Sequence, residues 1–214
     1  MQKEVCMSKI LISGCGITFP GERPTWLKIL KLCKLDITDL SGPAISNYLI
    51  LNQLIEEVQQ NEKYTHVICQ LTSMGKLDVE MHDDNRFLME NDNIRNFEYK
   101  GYWPSSASTD HEYKKIWQKY LYSPTLEKQD IKLKLQHLEI LCKSKNIALY
   151  VIQGYNIGFD DYNIYDHYKN HETYKYHDFN NSNTVPCRQF QIELVKKINN
   201  DFLYLNLPLE KFYG

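Results

Sequence analysis

Small and nucleophilic residues follow the first apolar segment of the chain. Residues 10–12 read Ile-Leu-Ile, and Ser-Gly-Cys-Gly follows at 13–16, with Thr18 close behind. A near-continuous apolar run is typical of a buried strand in a parallel sheet, and open parallel sheets bind ligands beyond the carboxyl ends of their strands. Gly14 and Gly16 allow a tight turn and let a ligand approach the backbone closely. We therefore interpret this loop as a substrate-binding site. The alternative is that its small residues only let the chain turn.

Four side chains are candidates for catalysis. Cys15 could act as a thiolate nucleophile, although a cysteine at the end of a buried strand can equally be an inert core residue. Ser73 follows the third predicted strand, where its hydroxyl could serve as nucleophile or only support a turn. His177 and Asp178 precede the last predicted helix, and they could supply a general base with its carboxylate partner. Their alternative role is that of solvated loop residues.

A metal site is a further chemical option in the same polar segment. His167 and His171 are four residues apart, which would place them on one face of a helix, and zinc sites use such ligands. Further potential ligands lie nearby in sequence: Asp160, Asp161, Asp166 and His177. The segment has no apolar stripe to hold a helix, so we favour a solvated loop and predict no metal and no cofactor.

Composition restricts the classes of partner. Lys and Arg together number 25 against 27 Asp and Glu, for a net charge of -2, and no strongly basic block occurs, so nucleic acid is not expected. No apolar run approaches the roughly 20 residues that span a bilayer, and the first eight residues do not resemble a signal peptide. The six cysteines are dispersed without a CxxC pair, which favours a cytoplasmic protein.

The periodicity of apolar residues predicts alternating strands and helices. The second helix is expected to bury Tyr48, Leu51, Ile55 and Val58, and the third Ile131, Leu135, Leu138 and Cys142. Strands are predicted at 10–12, 37–40, 66–71 and 147–152, helices at 24–34, 44–58, 126–145 and 185–201, and an edge strand at 202–207.

This alternation predicts a single α/β domain over residues 1–214. The expected architecture is a three-layer α/β/α sandwich with a mostly parallel, flavodoxin-like sheet. Residues 75–125 interrupt the alternation of strands and helices and are interpreted as an insertion over the carboxyl edge of the sheet. A polar loop rich in Tyr and Asn is predicted at 154–184.

Four short segments resemble, in order, the motifs of the SGNH (GDSL-type) hydrolase superfamily. The first, G-C-G-I-T at 14–18, is similar to the G-C-S-F-T of some members. S-G-P-A-I-S-N at 41–47 is similar to the glycine and asparagine block after the second strand, and Q-L-T-S at 70–73 to the polar block after the third. S-N-T-V-P at 182–186 corresponds to the D-x-x-H-P-type segment before the last helix. The resemblance implies an SGNH-like fold.

The chain departs from this family pattern at the catalytic positions. Gly16 stands where the family has its serine nucleophile, and Val185 and Ser182 stand where it has the histidine and aspartate. The oxyanion contributors do have counterparts, which the resemblance places at Gly42 and at Asn47 or Thr72. Donors of this kind can stabilise developing negative charge or simply bind a ligand.

Two functions follow as expectations. The resemblance implies an ester or acyl hydrolase, or an acyltransferase, with a rearranged catalytic set. Trp103 and Trp117 could stack on sugar rings or belong to the core, so a carbohydrate or another small polar molecule is the expected substrate. The alternative is an inactive protein of the same fold that binds a small molecule or a protein partner in the same cleft. The sequence leaves the oligomeric state open.

Overall fold

The computed structural model describes residues 9–15, 25–42, 45–61, 63–76, 78–80, 102–104, 117–153, 157 and 188–212. These residues include a parallel sheet of four strands: β1 (Lys9–Ser13), β2 (Asp36–Asp39), β3 (His66–Leu71) and β6 (Ala148–Gln153). Two short strands, β4 (Asp78–Glu80) and β5 (Tyr102–Pro104), form a separate antiparallel pair. The predicted α/β class with parallel strands is confirmed.

The order of strands in the large sheet is β2-β1-β3-β6. In the parallel register, Ile12 lies beside Asp39 on one side and Ile68 on the other. From β1 the chain therefore passes to β2 at one edge of the sheet. It then crosses back over β1 to form β3 and continues outward to β6 at the other edge. The direction of winding reverses between β1 and β3, and ligands of open α/β sheets bind at such a reversal.

The described residues also include four α-helices: α1 (Trp26–Leu32), α2 (Asn47–Gln60), α3 (Pro124–Ser144) and α4 (Arg188–Ile198). Side-chain hydroxyls cap the first three, because Thr25, Ser46 and Ser123 each accept a hydrogen bond from a backbone N–H of the first helical turn. These caps fix where each helix begins relative to the preceding loop.

Alternate strand residues contribute to two core clusters, as the two-residue period of a strand requires. Leu11 and Val67 pack with α2 and α3, whereas Ile10, Ile12 and Ile68 pack with α1 and α4. The predicted stripe of α3 is confirmed, since all four of its residues are at most 1% exposed: Ile131, Leu135, Leu138 and Cys142. In α2 the prediction is correct for three residues and wrong for Tyr48, which is 52% exposed.

The region after α4 differs from the prediction. A π-helical turn (Asn199–Leu203) continues α4, and a 3-10 helix (Leu209–Phe212) follows, so 202–207 does not add a strand. The described part of the predicted insertion contains β4, β5 and another π-helical turn (Trp117–Leu121). No helix among the described residues is both long and apolar enough to cross a membrane.

Candidate functional site

A cysteine, a threonine and a lysine meet at the carboxyl ends of β1 and β3. Cys15 lies two residues beyond β1, and Thr72 directly follows β3. The Cys15 Sγ atom is 3.0 Å from Thr72 Oγ1. Lys76 Nζ donates to both, at 2.9 Å to Cys15 Sγ and 2.6 Å to Thr72 Oγ1. The cluster therefore occupies the edge where the winding of the sheet reverses.

The cluster is largely covered. Cys15 is 4% exposed and Thr72 fully buried, while Lys76 is half-buried. An ammonium group that is partly removed from water needs polar partners. The Cys15 sulfur and the Thr72 hydroxyl are such partners for Lys76.

Asn47 holds Thr72 through its backbone. Asn47 is the first residue of α2 and is fully buried. Its Oδ1 atom accepts a hydrogen bond from the Thr72 N–H at 2.7 Å, and its Nδ2 atom donates to the Thr72 carbonyl at 3.0 Å. The side chain predicted to bind substrate thus fixes the residue that follows β3.

The backbone of Gly42 is also engaged within the protein. Its N–H donates to the Gly14 carbonyl at 2.9 Å, and the Leu40 N–H donates to the Ile12 carbonyl at 2.8 Å. These bonds extend the pairing of β1 and β2 into the two loops. Both oxyanion groups implied by the resemblance, the Gly42 N–H and the Asn47 amide, therefore make hydrogen bonds inside the protein.

The turn that places Lys76 depends on Gly75. Gly75 has a φ of +80°, a conformation that glycine adopts without strain. Its N–H donates to Glu127 Oε2 at 2.8 Å, in the first turn of α3. Burial and the hydrogen bond to Glu127 raise the pKa of the adjacent Tyr122 to about 12. The hydrogen bond between Gly75 and Glu127 thus attaches the loop after β3 to α3.

No protein-family model, curated protein or solved structure matches this chain.

The predicted site residues divide into those that the structure describes and those it does not. Cys15 and Thr72 are in contact, Gly14 is buried, and Ser73 is half-buried. Four predicted residues lie outside the described part of the chain: Gly16, Thr18, His177 and Asp178. The histidines and aspartates weighed as metal ligands lie outside it as well, and the described residues contain no group of three potential metal ligands.

A second polar cluster lies on the opposite face of the sheet. Gln70 Oε1 accepts a hydrogen bond from the Trp26 indole at 2.9 Å. Gln191 Oε1 accepts one from the Trp26 backbone N–H at 2.8 Å. All three residues are at most 1% exposed. These bonds connect the start of α1, the end of β3 and α4 inside the core.

The arrangement around Cys15 combines a potential nucleophile with a cation and a hydroxyl. A cysteine sulfur can act as a nucleophile, and a lysine ammonium can give a proton to a leaving group. Sequence reasoning proposed Cys15 and Thr72 but missed Lys76, whose side chain would ordinarily be solvated. Its position one residue after a turn glycine was the available signal.

Proposed function

We propose that the protein is an SGNH-hydrolase-like enzyme that transfers or hydrolyses acyl groups at Cys15. The observation that carries the proposal is the contact of Cys15 with Lys76 and Thr72 at the reversal point of a parallel sheet. The order β2-β1-β3-β6 agrees with a flavodoxin-like sheet within a three-layer α/β/α domain, the architecture that the SGNH assignment requires. Its dispersed cysteines favour a cytoplasmic location.

The proposed reaction uses Cys15 as nucleophile in place of the missing serine. The thiolate attacks the carbonyl carbon of an ester, and Lys76 gives a proton to the departing alcohol, leaving a thioester on Cys15. Water then hydrolyses the thioester and restores the thiol, or a second alcohol accepts the acyl group. The Thr72 hydroxyl shares a hydrogen bond with the sulfur at 3.0 Å. A small polar ester, such as an acylated carbohydrate, is the proposed substrate.

The test is turnover of short-chain p-nitrophenyl esters by the full chain. We expect hydrolysis that is lost in Cys15→Ala and strongly reduced in Lys76→Met. Lys63→Met is the matched control, since Lys63 is exposed and lies over the Tyr64 ring. Absence of turnover in the wild-type chain, or turnover that survives Cys15→Ala, would contradict the proposal.

A second candidate function is binding without catalysis in the same cleft. It is favoured by the burial of Cys15 and by the internal hydrogen bonds of Gly42 and Asn47, which leave the two oxyanion groups already engaged. In this case the half-buried Lys76 ammonium would bind an anionic or polar ligand. Thermal stabilisation by an acylated sugar, with no release of the acyl group and no thioester detected by mass spectrometry, would support this function over hydrolysis.

A further inference from the structure

Cys15 and Lys76 are close enough to form a covalent bond after oxidation of the sulfur. The Lys76 Nζ atom lies 2.9 Å from Cys15 Sγ, although the two residues are 61 positions apart in sequence. We propose that this pair is an oxidative modification site, at which hydrogen peroxide converts Cys15 and Lys76 into a sulfenamide cross-link. The inference does not depend on the proposed hydrolase activity, because the link needs only the two side chains and the oxidant.

The reaction balances with one peroxide for each link. The Cys15 thiolate attacks one peroxide oxygen, so that a sulfur–oxygen bond forms, the oxygen–oxygen bond breaks and hydroxide leaves. Sulfur is oxidised by two electrons and the peroxide is reduced. The hydroxide removes a proton from the Lys76 ammonium, and the neutral amine attacks the sulfenic acid sulfur, forming the sulfur–nitrogen bond and releasing a second water.

The surroundings make this site selective for Cys15 among the described cysteines. Of Cys15, Cys33, Cys69 and Cys142, only Cys15 has a described ammonium at hydrogen-bond distance. Burial raises the pKa of the Cys33 and Cys69 thiols, and it raises that of Cys142 to about 11. Thiols of this kind carry little thiolate and react slowly with peroxide.

The low exposure of Cys15 also selects the oxidant. A side chain that is 4% exposed admits a molecule close to the size of water more readily than a bulky electrophile. The nearby amine then competes with a second peroxide for the sulfenic acid, which protects the sulfur from irreversible oxidation. The link would join the loop after β1 to the loop after β3 and remove the thiol until a reductant restores it.

The test is peptide mapping of the folded, full-length chain after brief exposure to hydrogen peroxide. We expect a linked peptide pair containing Cys15 and Lys76, lighter by two hydrogen atoms than the separate peptides, which dithiothreitol returns to the unmodified forms. Lys76→Met and Lys76→Arg should lose the linked pair and instead accumulate sulfinic acid at Cys15. Lys63→Met and Cys33→Ser are matched controls and should retain it.

Three results of the peptide mapping would contradict the inference. Wild-type Cys15 that remains unoxidised, or that proceeds to sulfinic acid without a linked pair, contradicts it. So does a linked pair that persists in Lys76→Met through another lysine. The arginine variant keeps a cation beside the sulfur, so it provides an answer even where the methionine variant folds poorly. Ester turnover plays no part in this readout.

Discussion

The strongest local prediction concerns the amide of Asn47. Replacement by alanine removes both hydrogen bonds to the Thr72 backbone and leaves a buried N–H and a buried carbonyl without those partners. Each buried polar group that loses its partner costs about 1–3 kcal/mol. We therefore expect Asn47→Ala to lower the free energy of unfolding by about 3 kcal/mol. With a urea dependence of about 2–3 kcal/mol per molar, the unfolding midpoint should fall by about 1–1.5 M.

Asn52→Ala is a matched control in the same helix. The Asn52 side chain is half-buried and accepts one hydrogen bond from Lys134 Nζ at 3.0 Å. Losing this bond costs about 0.5–1.5 kcal/mol, and the better helix propensity of alanine returns up to about 0.7 kcal/mol. The control should therefore stay within about 1 kcal/mol of the wild-type chain.

An aspartate at position 47 tests the two hydrogen bonds to the Thr72 backbone separately. Asn47→Asp keeps an oxygen to accept from the Thr72 N–H but places a second oxygen against the Thr72 carbonyl, where the amide donated at 3.0 Å. The variant should be less stable than the wild-type chain at neutral pH and regain stability as the introduced carboxylate is protonated. Urea unfolding of Asn47→Ala with a midpoint equal to that of Asn52→Ala would refute the proposed role of this amide.

Three further predictions concern the support of the site and the core. Gly75→Ala should lower the melting temperature by about 2–8 °C, because an alanine in the left-handed conformation costs about 1–2 kcal/mol. Its Cβ would lie 3.6 Å from Tyr122, which is an ordinary contact distance. A much larger fall in the melting temperature, measured by calorimetry, would contradict this prediction. Leu138→Ala should cost about 2–5 kcal/mol, whereas Leu133→Ala in the same helix, where the side chain is 66% exposed, should stay within about 0.5 kcal/mol in urea unfolding. Burial lowers the pKa of His66, so the unfolded chain binds more protons and stability should fall as the pH drops below about 6.5. Chemical unfolding at about pH 7.5 and about pH 5.5 should show a smaller loss for His66→Gln than for the wild-type chain.

The parallel sheet could be predicted from the sequence because β1, β3 and β6 contain short apolar runs and helices of regular periodicity lie between the strands. The prediction at 66–71 matches β3, and that at 147–152 differs from β6 by one residue at each end. Both β1 and β3 contribute alternate side chains to the core clusters on the two faces of the sheet, so apolar residues suit both of their faces. Composition and spacing therefore carried most of the information about these elements.

The buried face of α2 was harder to predict, since apolar residues occupy more than one face of this helix. Leu51, Leu54 and Val58 are fully buried, whereas Tyr48 faces outward, with Lys134 Nζ 4.4 Å from the centre of its ring. An exposed tyrosine next to a lysine gains from the attraction between the cation and the ring. That pairing involves α3 and leaves no trace in the periodicity of α2.

The residues at 202–207 show how apolar content can be misread as a strand. Phe202 stacks on Tyr150, with ring centroids 5.0 Å apart, and so covers β6 with its side chain. Asn199 meanwhile exchanges two hydrogen bonds with the Leu205 backbone, at 2.8 and 2.9 Å. These hydrogen bonds pair the N–H and carbonyl groups of Leu205 locally, without pairing to a strand of the sheet. Leu203 is buried here while Tyr204 is 77% exposed, and the apolar content of the segment could not specify which backbone conformation it adopts.

The contact between Cys15 and Thr72 depends on the order of the strands more than on either local motif. The two residues are 57 positions apart, and they meet because β3 lies directly beside β1. Had β2 paired between them, the two strand ends would be separated by about 9–10 Å, too far for Lys76 to bridge the sulfur and the hydroxyl. A motif search examines each loop separately, so it can propose Cys15 and Thr72 but not their contact. The chemistry proposed for Cys15 is therefore a property of the crossover that brings β3 next to β1.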